Sequence, residues 1–109
     1  MTAPVLDWAA VRERYTRQPT VRALTGESVL RVLSVDDDRL CLGQRLWRDC
    51  LTRAELGTAL TLVRPGLSPV QFAEVLRRYY AGGPQVRTGC TRTPNLAAIV
   101  LRDLGHLAP

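Results

Sequence analysis

Apolar residues along this chain recur in two rhythms, one near 3.6 residues and one near two, and the change between them marks the elements. Trp8, Val11 and Tyr15 fall at helical spacing with Arg12, Glu13 and Arg14 between them, and Asp7 precedes them as an N-cap, so a short amphipathic helix runs from Asp7 to about Arg17. Pro19 and Thr25-Gly26 then break the period. Ser28 to Val35 is rich in Val and Leu on both alternating registers, which predicts a strand covered on both faces. Asp36-Asp37-Asp38 is a turn signal, Arg39 to Leu42 resumes the apolar pattern, Gly43-Gln44 is a second turn, and Arg45 to Leu51 reads as a third strand.

The helical rhythm then returns. Thr52-Arg53-Ala54-Glu55 has the form of a capping box, followed by an apolar stripe of Leu56, Ala59, Leu60 and Val63 that ends at Arg64-Pro65-Gly66. Ser68-Pro69-Val70-Gln71 repeats that grammar and opens a helix whose buried face is Phe72, Val75, Leu76 and Tyr79, stopped by Gly82-Gly83-Pro84. Gln85 to Arg92 is polar and aperiodic. Thr93 then serves as the N-cap of a last helix carrying Leu96, Ile99, Val100 and Leu104, with Gly105 as its stop. The predicted architecture is α+β: a short N-terminal helix, a three-stranded antiparallel meander, and three C-terminal helices packed on one face.

With 109 residues the chain fits a single domain spanning 1–109. Its apolar run Asn95 to Leu101 falls far short of the roughly 20 residues of a membrane span, and the first residues show no basic-then-apolar signal. A soluble cytoplasmic domain with no membrane partner is expected. Three scattered Cys without a C-x-x-C pair argue against a disulfide scaffold or a zinc site, so Cys41 and Cys50 are expected to pack as small apolar groups and no cofactor or metal is expected.

Charge is more informative. All fifteen basic residues are Arg, set against ten acids, for a net charge of +5. A GC-rich coding sequence would also replace Lys by Arg, but the distribution is uneven: beyond residue 55 six Arg face only Glu74 and Asp103. Arg grips phosphates and carboxylates with a planar fork, so an anionic partner is favoured.

Few residues offer catalysis. His106, the single histidine, follows the final helix stop, and three consecutive Asp on a turn lack the alternating spacing of a calcium loop. Cys90 lies between Arg87 and Arg92, which would favour its thiolate. The richest constellation runs from Arg77 to Asn95. Arg77, Arg78 and Tyr80 close one helix, Arg87, Thr88, Thr91 and Arg92 occupy the connection, and Thr93 and Asn95 begin the next, with Arg102 adding to the set. Arg, Ser/Thr hydroxyls and helix starts are the groups that contact phosphate. Tyr80, placed off the apolar stripe, would stack on a base or sugar. Against this stands the plainer reading that Arg77 and Arg78 are solvated cations favoured by the helix dipole.

Val21 to Gly26, Val32 to Leu40, Leu51 to Leu56 and Asn95 to Leu101 together resemble the N-terminal modules that precede nuclease domains in actinobacterial modification-dependent restriction endonucleases of the McrA type. The resemblance implies a DNA-recognition or accessory domain beside a separate HNH nuclease. The chain has no His-Asn-His constellation, so nothing catalytic carries over. The expected function is therefore non-catalytic binding of nucleic acid, duplex DNA in the first instance, with Arg31, Arg45 and Arg48 extending the surface and a nuclease domain or a second copy of the chain as partner. The rival expectation is a protein-interaction or oligomerisation module that uses Trp47, Leu33, Leu40 and Leu42.

Overall fold

The structure, a computed structural model, describes residues 6–82 and 92–108. The elements follow as α1 (Trp8–Arg17), β1 (Thr20–Arg22), β2 (Val29–Val35), β3 (Arg39–Gln44), β4 (Trp47–Thr52), α2 (Arg53–Thr61), α3 (Pro69–Gly82) and α4 (Thr93–Asp103). The four strands form one antiparallel sheet in the order β1-β2-β3-β4. The class is α+β as expected, but the sheet has four strands rather than three. The extra strand, β1, is three residues long with Val21 alone pointing inward, too little for an alternating pattern to register.

Several sequence signals act locally as expected. Asp7 accepts a hydrogen bond from the Ala10 N–H at 3.2 Å. Both capping boxes close reciprocally: Thr52 with Glu55, and Ser68 with Gln71, each through two hydrogen bonds of 2.9 to 3.1 Å. At Gly105, φ is +89°, and the Gly105 and His106 N–H groups return to the Arg102 and Leu101 carbonyls, the pattern of a Schellman stop. Thr93 departs from expectation. Arg92 holds the N-cap position with helical dihedrals and no side-chain cap, and Thr93 is already the first helical residue, only 2% exposed.

One face of the sheet carries the core. Val21, Leu30, Leu40, Leu42 and Leu51 point inward and pack with Leu56, Leu60, Phe72 and Leu76 around α4, whose residues from Thr93 to Leu101 are all buried except Asn95. The other face is open, so β2 is covered on one side only, and Val29 and Leu33 remain 50% exposed. Leu33 follows the alternation onto the outer face, and the register shift between Val32 and Ser34 leaves Ser34 exposed beside it. There the Leu33 Cδ1 comes to 3.0 Å from where a Cβ on Gly43 would lie, and the Trp47 carbonyl oxygen to 2.7 Å. Gly43 is thus inside β3, and the reversal passes to Arg45-Leu46, whose Leu46 is 94% exposed.

Cys41 and Cys50, directly opposite in the β3–β4 register with Cα atoms 4.0 Å apart, form a disulfide. This overturns the expectation of two independent packing thiols. A separation of nine residues acquires meaning only once the hairpin register places the two side chains on one face. The free edge of β4 is closed by side chains: Asp49 accepts from the Cys50 N–H at 2.8 Å and Glu55 from the Thr52 N–H at 2.9 Å, which occupies donors that a further strand would need.

Adjacent residues at the end of α4 tie the fold to its N-terminal part. Asp103 accepts from Arg14 Nε at 2.8 Å and Tyr15 OH at 2.7 Å. Burial alone would raise the Asp103 pKa, but the hydrogen bonds from Arg14 and Tyr15 and the Arg14 charge outweigh it and hold the carboxyl below its ordinary value. Burial, and then the hydrogen bond to Asp103, push the Tyr15 phenol upward.

Two outcomes follow for stability. Gly43→Ala should lower stability by about 1 to 3 kcal/mol, because its methyl would meet the Trp47 backbone, and the urea midpoint measures this. Asp103 binds its proton less readily folded than unfolded, so its stabilisation is complete above its unfolded value of about 3.9 and is lost as pH falls through the lower folded value. Acid titration of Asp103→Asn should therefore show a shallower loss of stability than the parent below about pH 4.

Candidate functional site

The basic side chains divide into those consumed by the fold and those left to solvent. Arg77, on α3, donates to Glu74 at 2.8 Å and also to Asn95 Oδ1 on α4. Arg102 is further from a binding role, since its guanidinium donates to the Arg22, Ala23 and Leu24 carbonyls at 2.5, 3.0 and 3.3 Å. Burial, and then the nearby Arg22 charge, lower its pKa, yet three carbonyls hold it in place. These two residues staple α3 to α4 and α4 to the β1–β2 loop.

The tyrosines exchange the roles read from the sequence. Phe72, Leu76 and Tyr80 follow at four-residue intervals on the inward side of α3, so Tyr80 packs against the core while Tyr79 is 49% exposed. Their rings meet edge to face at 5.7 Å. A base-stacking role for Tyr80 is thereby withdrawn. Buried Thr93 likewise offers no hydroxyl at the surface. Arg78 remains exposed. Arg87, Thr88, Thr91 and the thiol of Cys90 lie outside the described residues.

Arg92 has an unexpected neighbour. Its guanidinium lies over the Trp47 ring, 4.6 Å from the centroid, while Trp47 Nε1 donates to Gln44 Oε1 at 3.1 Å. Trp47 is half-buried against the core, and Leu40 and Leu42 are fully buried, so of the apolar residues proposed for an interaction surface only Leu33 is on the outside. The arrangement brings Trp47 to Arg92 and Asn95, 45 and 48 positions further along the chain, which no local pattern reports.

The open sheet face concentrates the remaining charge. The register aligns Thr20, Arg31, Gly43 and Arg48 in one row across all four strands, with Arg22 beside it opposite Val29. Arg31 and Arg48 lie two strands apart, roughly 10 Å at the backbone, on either side of a residue with no side chain. Among the described residues, Arg22, Arg31, Arg45 and Arg48 enter no ion pair. The one acid within a strand, Asp49, pairs with Leu42 on the inner face. The other acids, exposed Glu27 of the β1–β2 loop apart, serve caps, turns and ion pairs elsewhere. Asp36, for example, accepts from the Asp38 and Arg39 N–H groups, which draw its pKa down, and closes the β2–β3 turn.

The chain has no match among protein-family models, curated proteins or solved structures, so its own geometry carries what can be inferred of its function. No helix among the described residues is long and apolar enough to cross a membrane, and no group of three or more His, Cys, Asp or Glu among them is placed to hold a metal ion.

Arg102→Ala should therefore behave as a structural lesion, lowering the urea midpoint by the equivalent of about 1 to 3 kcal/mol, because it leaves part-buried carbonyls without their donor. Arg78→Ala, on the exposed side of α3, should stay within about 0.5 kcal/mol of the parent in the same measurement.

Proposed function

We propose that this domain is a non-catalytic nucleic-acid-binding module that holds the backbone of duplex DNA against its open sheet face. The observation that supports the reading is the cross-sheet row Arg31-Gly43-Arg48 with Arg22 beside it, cationic and free of acidic partners. Arg and hydroxyl groups are the usual phosphate contacts, and exposed Thr20 and Ser34 stand on the same face. No aromatic residue points outward from the strands, so the surface has no platform for stacking unpaired bases, which favours a duplex over a single strand. Exposed Arg78 and Arg92 extend the positive surface on the helical side.

The proposal places the module in the cytoplasm, beside a separate catalytic domain or chain such as a nuclease. In that reducing compartment Cys41 and Cys50 would be kept as thiols, with the β3–β4 ladder left to hold the register. A second reading has an observation of its own. Val29, Leu33 and Leu46 are exposed on or next to the same face, as an interface between proteins would require. Light scattering separates the two: a concentration-dependent dimer that loses DNA binding as it forms would favour the interaction module.

The direct test is fluorescence anisotropy with a short labelled duplex across a salt series. Each phosphate contact contributes a slope of about −0.9, so Arg31→Ala combined with Arg48→Ala should flatten the dependence by about 2 while the melting temperature is kept. Absence of binding at low salt, or an unchanged slope in the double variant, would overturn the reading.

A further inference from the structure

A cleft of about 290 Å³ lies where the inner face of the sheet, at the β3–β4 turn, meets the first turns of α4. Leu30, Leu96 and Ile99 make its floor, and Trp47, Arg92 and Asn95 stand on its rim. Among the described residues no acid lines it. At roughly 30 Å³ for each water-sized group, that space accommodates about ten non-hydrogen atoms, the size of one ring with a short substituent.

The rim is set up for an anion. Arg92 holds its guanidinium over the Trp47 indole with no carboxylate partner among the described residues, so its N–H groups are left for a ligand. Such groups pair two-pronged with a carboxylate or a phosphate. Asn95 supplies a second donor, because its Oδ1 accepts from Arg77 and its amide N–H groups are left over. The Arg77 bond and the Gln44 bond to the indole fix the rim before any ligand arrives, so little ordering is needed on binding.

We propose that this cleft binds a small organic anion, one carboxylate or phosphate monoester on an apolar body the size of a single ring. Arg92 and Asn95 hold the anionic end, and the half-buried Leu24 and Trp47 flank the ring above Leu30, Leu96 and Ile99. The site is distinct from the outer sheet face and does not depend on DNA binding.

The two tryptophans make the test direct, since the indole N–H region of a nitrogen–proton correlation spectrum holds one signal from Trp47 and one from buried Trp8. Benzoate and phenyl phosphate are titrated into the full chain, with benzyl alcohol as the uncharged analogue of benzoate. The expected result is a saturable shift of the Trp47 signal with both anions, little change at Trp8, and at least tenfold weaker binding by benzyl alcohol and by Arg92→Gln. Arg92 is exposed, so the variant should keep the parent's dispersed spectrum, which serves as its folding control. The Arg31→Ala, Arg48→Ala protein should bind the anions as the parent does, whatever becomes of its DNA affinity. A shift that does not saturate by about 10 mM, benzyl alcohol binding as well as benzoate, or Arg92→Gln binding as well as the parent would each overturn the proposal.

Discussion

The neighbouring residues Arg102 and Asp103 hold the two ends of this sequence together. One reaches the carbonyls of Arg22, Ala23 and Leu24, and the other receives Arg14 and Tyr15, across separations of 78 to 89 residues. α4 is the element that sheet and helices all touch, and its buried length from Thr93 to Leu101 would slide freely along an apolar surface if packing were its only constraint. Burial is non-directional, whereas these hydrogen bonds have geometry. They set how far α4 penetrates and how it is rotated, and through it the position of Asn95 beside Arg77 and of Arg92 over Trp47.

The same economy explains how the charges sort. An Arg near an unsatisfied carbonyl or a buried carboxylate becomes structural, because leaving those groups without donors costs more than ordering one long side chain. Arg14 and Arg102 are of this kind, whereas Arg77 bridges Glu74 and Asn95 at the surface. The strands satisfy their own backbone, and their outer positions therefore ask nothing of Arg22, Arg31 and Arg48. A net charge near the chain's +5 thus says little by itself. What matters is that the acids have gone to turns, caps and helix contacts while part of the cationic charge stays on the uncovered side of the sheet.

Features governed by residues within a few positions of one another were readable in the sequence. The Thr52–Glu55 and Ser68–Gln71 boxes and the Gly105 stop depend on neighbours three to five residues apart, and each is present. Features that depend on remote partners were not. Tyr79 and Tyr80 differ by one step of about 100° around α3, and only the packed neighbours decide which of two identical side chains turns inward. β1 has one inward residue. Arg102 looked like a free cation because its acceptors lie 78 to 80 residues away, and the bond from Arg77 to Asn95, 18 residues on, was as little visible beside its local partner Glu74. Arg31 and Arg48, seen in the sequence merely as possible extensions of a helical patch, become a row only when the register aligns them around Gly43.

The Cys41–Cys50 bond has a consequence for the integrity of the chain. When formed, it encloses residues 41–50 in a covalent ring that contains the whole β3–β4 reversal, including fully exposed Leu46 and its neighbour Arg45. Exposed turn tips are where proteases enter. A single cut inside this ring severs the backbone without separating the molecule, since β3 remains bonded to β4 through sulfur. Wherever the disulfide is formed, this exposed turn is therefore one where a break can be survived, with Arg48 on the nicked hairpin still held beside Arg31 on β2.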